Sequence, residues 1–163
     1  MKQTSNLLKQ TIVLLVICSL AIGFQSCDEK AEVVTEFDLT TAQAEIEAAN
    51  QNFTTLLIAG DSVGLANYYT VDARIMSAGA PSIVGRTNIQ TAMASLVQSD
   101  ITKIDIRIEN VYGTADLIAE EGELTFFIGD EAVTVEKYIG LWKKEDGKWK
   151  LFRDISNSNS PAK

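Results

Sequence analysis

Proton transfer at neutral pH needs a group whose pKa lies near 7, and this 163-residue chain has no histidine to supply one. A carboxylate raised by burial is the remaining source. Asp72 and Asp154 are the two candidates. Asp72 opens a strand after a loop, where it serves either as a pocket acid or as a partner for nearby backbone amides. Asp154 alternates with Arg153 near the C-terminus and shares a face with Phe152 and Ser156, a face turned either inward or to water. Asp116, Glu120, Glu121 and Glu123 form a charge run near a hairpin, the pattern of a solvated surface. Their spacing matches no Asp-x-Asp-x-Asp-Gly calcium loop. Gly79 and Gly85 flank a proline turn and form no phosphate cradle. Tyr68, Tyr69, Met76, Met93, Phe126 and Trp142 either line a pocket or pack a core. No metal or cofactor is expected.

The cysteines point to different chemistry. Lys2 and Lys9 open the chain on positive charge, and an almost wholly apolar run follows from Thr11 to Phe24. Gln25-Ser26-Cys27 and the charged Asp28-Glu29-Lys30 come next. A basic start, a short apolar run and a small residue before the cut describe a secretory signal. The run falls short of the ~20 apolar residues that span a bilayer. A plain membrane anchor or an ordinary cleaved signal are the other readings. Ending on Ser26-Cys27, the segment resembles a bacterial lipoprotein signal, whose cysteine is lipidated and becomes the mature N-terminus. That resemblance implies a signal over residues 1–26, lipidation at Cys27, and a tether over 27–37. It places the protein in the bacterial cell envelope, lipid-anchored on the periplasmic or surface side. Cys18 lies behind Ile17 in the apolar run and reads as filler, so no intrachain disulfide is expected.

Charge narrows the partners. The chain carries 14 basic and 22 acidic residues, for a net charge of −8. Without Lys2 and Lys9 the mature chain would carry −10. Such a surface repels nucleic-acid phosphate, and no basic stripe with interleaved aromatics offsets it. With Cys27 lipidated and no histidine, a zinc site has neither sulfur nor nitrogen ligands.

The elements that must position Asp72 and Asp154 follow from hydrophobic period. Asp38 or Thr40 can cap a first helix, with Gln43 three residues after Thr40 as in a capping box. Ile46, Ala49, Phe53, Leu56 and Leu57 recur at helical spacing through Ala59. Asp61-Ser62 can cap a short second helix, and Gly85-Arg86 opens a third with Ile89, Met93, Leu96 and Val97 on one face. A strand is expected over Asp72 to Ser77 and a short one over Ser82 to Val84. The period then switches to two: Ile104, Ile106 and Ile108 alternate with polar residues. Further strands are expected at about Leu117–Phe127, Ala132–Lys144 and Lys148–Ser156, the last two joined at Asp146-Gly147 by a hairpin turn. Helices followed by an antiparallel meander make an α+β fold. Tyr138 with Trp142 on one face, and Ile139 with Leu141 on the other, give a sheet apolar on both sides. Helices cover one side, and a homodimer partner is expected on the other.

Tyr69-Thr70-Val71-Asp72-Ala73, Gly85-Arg86, the run from Trp142 to Leu151, and Arg153-Asp154-Ile155-Ser156-Asn157 resemble the nuclear transport factor 2-like superfamily. More narrowly they resemble its SnoaL-like and domain-of-unknown-function 4440 branches, over roughly residues 40 to 157. The resemblance implies a cystatin-like cone over residues 38–158, three helices closing a strongly curved antiparallel sheet around a pocket, with a tail at 159–163. It implies dimers, and relatives that include isomerases, dehydratases, hydrolases and non-catalytic binding domains. Aligned with the isomerases, the base position falls on Ser77, which is no base at neutral pH, and the first helix offers Phe53 where a donor tyrosine would stand. The expectation is therefore a pocket that holds a small apolar or amphipathic ligand, or a partner, without catalysis. Tyr69, Asp72, Trp142, Asp154 and Asn157 are the expected contacts. The alternative is a SnoaL-like isomerase, dehydratase or hydrolase working through pocket carboxylates.

Overall fold

Helix α1 (Leu39–Ile58) starts where Asp38 can cap it: its carboxylate accepts from the Thr40 amide at 2.9 Å and the Thr41 hydroxyl at 2.6 Å. The expected Thr40–Gln43 box does not form, because Asp38 already holds the free amide and Gln43 turns to Glu47 at 2.9 Å. These elements come from a computed structural model that describes residues 37–160. Cys18, Cys27 and the expected signal lie outside the described residues, as does the tether apart from Phe37.

Ala42, Ile46, Asn50, Phe53 and Leu57 form the buried stripe of α1 at three- and four-residue spacing. Helix α2 (Ser62–Asn67) is capped by Asp61, which accepts from the Gly64 amide at 2.8 Å. Helix α3 (Arg86–Leu96) buries Ile89 and Met93 and begins after Gly85, whose φ of 83° suits glycine.

The strands are β1 (Tyr69–Ser77), β2 (Ile83–Val84), β3 (Lys103–Gly113), β4 (Ile118–Ile128), β5 (Glu131–Glu145) and β6 (Lys148–Ser158). They form one sheet in the order β2-β1-β6-β5-β4-β3. The sheet is mixed: β1 and β6 run parallel and every other pair is antiparallel. The antiparallel expectation fails at that pair because β1 and β6 meet only after a crossover through α3 and four further strands. At the β5–β6 turn both Asp146 (φ 53°) and Gly147 (φ 74°) are left-handed, as a two-residue type I′ turn requires.

Bulges bend the sheet. Register shifts leave Glu109 unpaired on β3 and Phe152 unpaired on β6. At Gly122 a Cβ would lie 2.1 Å from the Arg107 carbonyl oxygen, so only glycine admits this close approach of β3 to β4. The core on the concave side contains Ile46, Leu65, Ile89, Ile118 and Trp142, all fully buried. Tyr138 and Trp142 therefore take the inward face of β5, and Ile139 and Leu141 the outward one. Phe152, the bulged residue, packs between cations instead, with Lys143 Nζ 3.9 Å and the Arg153 guanidinium 3.5 Å from its ring centre.

Candidate functional site

The concave face of the sheet, α1, α3 and the start of β1 enclose a cavity of about 230 Å³. Strand alternation decides what lines it. On β5 the inward row is Tyr138, Gly140 and Trp142, on β4 Ile118, Glu120, Gly122 and Leu124, and on β1 Ile75 and Ser77. On β6 strict alternation would place Leu151 and Asp154 on opposite faces. The Phe152 bulge resets the parity, so Leu151, Asp154 and Ser156 all line the cavity and Ile155 turns outward. Gly140 stands opposite Asp154, and a Cβ there would press to 2.8 Å from Leu151 Cδ1.

Two hydrogen-bonded polar clusters sit in this wall, which Ser77, Glu136 and Ser156 also line. The first centres on Glu120, only 1% exposed. Its carboxylate accepts from Asn50 Nδ2 at 2.9 Å, from the Tyr138 hydroxyl and from the Trp142 indole N–H. Asn50 in turn accepts from the Tyr68 hydroxyl through Oδ1, which fixes the orientation of its amide. Burial raises the Glu120 carboxyl, while the bonds from Tyr138, Asn50 and Trp142 oppose that rise. In the second cluster the Tyr69 hydroxyl donates to Asp154 Oδ2 at 3.1 Å. Burial pushes Asp154 up to about 6; the Tyr69 bond pulls it down, and Glu120 and Glu136 add to the rise. Tyr68, Tyr69 and Tyr138 are all raised, chiefly by burial, so each keeps its proton at neutral pH.

An outer clamp holds Tyr69 in place. Arg86 donates through Nε and Nη2 to the Tyr69 carbonyl, at 2.9 and 2.7 Å. Glu145 accepts from the Val71 amide at 2.8 Å, from Arg86 and from Lys150. Burial alone would raise Glu145, but the Val71 amide, Arg86 and Lys150 outweigh it and draw the carboxyl down to about 2. These side chains serve the stretch of β1 where register with β6 is broken, between Tyr69 and Arg74. The clamp thus joins the start of α3 to the β5–β6 hairpin and fixes where the Tyr69 ring enters the cavity.

Of the residues expected as contacts, Tyr69, Trp142 and Asp154 meet in the cavity wall, with Ser77 nearby. Asp72 and Asn157 do not. Asp72 is exposed and accepts from the Thr70 hydroxyl at 2.9 Å, a side-chain partner in place of the backbone amides expected for it. Asn157 is exposed near the end of β6, on the row opposite Asp154 and Ser156. Phe53, Tyr68, Met93 and Phe126 line the cavity, while Met76 is not part of the wall. Glu120 corrects the reading of Asp116 to Glu123 as a solvated run, since it is among the most buried side chains described. The period-two row Ile118, Glu120, Gly122, Leu124 carried that signal. Asn50 was also legible, lying between Ile46 and Phe53 on the buried stripe of α1. Among the described residues no cluster of three or more histidine, cysteine or carboxylate side chains is placed to hold a metal.

This arrangement of helices, bent sheet and lined cavity has counterparts. The profile of the SnoaL-like domain matches residues 50–152, more than half of the chain. The chain belongs to the SnoaL-like family. Its fold is the cystatin-like, nuclear transport factor 2-like one. A cystatin-like domain of unknown function from Nostoc punctiforme superposes with a TM-score of 0.65 at 12% identity, over 76% of this chain and 81% of that one. A nuclear transport factor 2-like protein from Novosphingobium aromaticivorans gives 0.64 at 14% identity, over 76% and 86%. A ketosteroid isomerase-like protein from Erwinia carotovora atroseptica gives 0.55 at 25% identity, over 72% and 96%. No curated protein matches the chain in sequence. In this SnoaL-like chain the cavity occupies the concave side of the sheet, and its carboxylates come from β4, β5 and β6.

Proposed function

We propose that this SnoaL-like domain binds a small ligand with an apolar body in the cavity and releases it unchanged. The observation that carries the reading is the position of Glu120. Enolising chemistry on this fold needs donors aimed at an oxyanion, as a ketosteroid isomerase uses a tyrosine and a protonated aspartic acid. Here the donors of Asn50, Tyr138 and Trp142 converge on a carboxylate of the protein itself. The place of the oxyanion is taken by Glu120. Ser77 in the wall adds no base. A cavity of about 230 Å³ suits a guest smaller than the drug-sized ligands of typical pockets, which run to ~300–1,000 Å³.

One observation favours the second reading, proton transfer by Asp154: its carboxyl, pushed up to about 6, lies close to the range a general base requires. A thermal-shift screen of small molecules, with mass spectrometry of each hit after incubation, separates the two. Hits recovered unchanged are expected. A converted product that disappears in Asp154→Asn would establish the catalytic reading instead.

The proposal extends to location and assembly. Cys27 anchors the domain to an envelope membrane by lipid, and a second copy covers the sheet face away from the cavity. Met76, Ile155 and Ile139 form adjacent outward positions across β1, β6 and β5, with Ile139 47% and Ile155 41% exposed. Cys27→Ala is expected to move the protein into soluble fractions, and the released protein to sediment at twice the monomer mass. Retention of the variant in membranes, or a monomer at tens of micromolar, would sink the corresponding part.

A further inference from the structure

The donors around the cavity are already engaged within its wall. Tyr68 donates to Asn50, Asn50, Tyr138 and Trp142 donate to Glu120, and Tyr69 donates to Asp154. What remains for a guest is mostly acceptor: carboxylate oxygens of Asp154, Glu136 and Glu120, and phenol lone pairs. The second amide hydrogen of Asn50 and the hydroxyls of Ser77 and Ser156 are the side-chain donors left, and the hydroxyls accept equally well. The lining contains three carboxylates and no lysine or arginine. Aromatic rings make up much of the rest, with Tyr68 packed at 4.8–5.3 Å from Phe53, Tyr69 and Trp142.

We propose that the cavity selects a small organic cation, an ammonium group carried on an apolar body, over neutral or anionic guests of the same shape. This rests on the ligand-pocket reading and adds the chemical class of the ligand. An ammonium brings the donors that the wall lacks. Its desolvation is offset by a carboxylate within reach and by the negative faces of aromatic rings. An anion would meet Asp154, Glu136 and Glu120 with no counter-charge. The overall charge of −8 also draws cations toward the protein before contact.

Selection by charge carries its own pH dependence. Asp154 faces Tyr69 on β1, Glu120 on β4, and Glu136 and Tyr138 on β5, none of them basic. With its carboxyl at about 6, Asp154 is ionised at pH 8 and protonated at pH 5. Cation affinity is expected to fall between those two values, while a neutral guest is indifferent to the change.

Calorimetric titration of the full chain with 2-phenylethylammonium, 2-phenylethanol and 3-phenylpropionate tests this. At pH 8 the cation is expected to bind about tenfold or more tightly than the alcohol, and the anion least of all. Asp154→Asn should lower cation affinity about tenfold and leave the alcohol within about twofold. Glu136→Gln, an independent second variant on β5, should weaken the cation several-fold. An alcohol or an anion that binds as well as the cation overturns the ammonium inference and leaves the ligand-pocket reading standing. If none of the three binds at millimolar concentration, both fall.

Discussion

Asp154→Asn is expected to make the protein more stable at neutral pH, by about 2–3 kcal/mol, which is roughly 10 °C in melting temperature. The wild-type carboxyl titrates at about 6 in the fold and near 3.8 when unfolded. Between those values the folded state holds the proton more tightly than the unfolded chain, so stability falls as pH rises from about 4 to about 6. Above that window the full cost of an ionised Asp154 is present. Asparagine keeps an oxygen for the Tyr69 hydroxyl and carries no charge, so the cost disappears. Melting curves of both proteins from pH 4 to pH 8 provide the check. The two should coincide near pH 4 and separate through pH 6. Parallel curves, or a variant less stable at pH 7, would show that Asp154 carries no desolvation cost.

Glu120→Ala should act in the opposite sense and cost about 3–5 kcal/mol. Both groups are carboxylates lowered into the same cavity, but Asp154 accepts one side-chain bond and Glu120 three. Truncation to alanine leaves the donors of Asn50, Tyr138 and Trp142 in an apolar wall with nothing to accept them, and each such loss costs about 1–3 kcal/mol. Glu120→Gln should cost less, because it keeps the volume and one acceptor oxygen. Its amide then points a donor at another donor. Urea denaturation of the two variants at pH 7 measures both. A loss under about 1 kcal/mol for Glu120→Ala would mean that water takes over the three bonds, and the oxyanion place would then be open to a ligand.

The contrast between Asp154 and Glu120 also marks the limit of what linear order reveals. Expected caps at Asp38 and Asp61 formed because a short acidic side chain reaches amides two or three residues ahead. The Asp146-Gly147 turn closed as its composition requires, since both residues tolerate positive φ. The isoleucine alternation at 104, 106 and 108 set one face of β3. Each of these depends on neighbours within a few positions. The capping box at Thr40 failed on the same scale, through competition from Asp38.

What the tertiary structure decided lies in pairing between distant segments. Residue types and their periodicity established an acidic α+β domain without histidine, in which any acid–base role must fall to carboxylates. Which carboxylates was a matter of register. The parity of β6 depends on one unpaired residue, Phe152, whose bulge exists only against β5 and turns Asp154 inward. Glu120 became a core residue because three partners from α1 and β5, at sequence separations of 70, 18 and 22, converge on it. Asp72 stayed outside because the row of β1 that faces the cavity is Tyr69, Ala73, Ile75 and Ser77, and alternation leaves Asp72 on the other row. A local pattern gives each strand two faces. Only the pairing of strands and the helices laid across them decide which face is buried, and a shift of one residue exchanges the two.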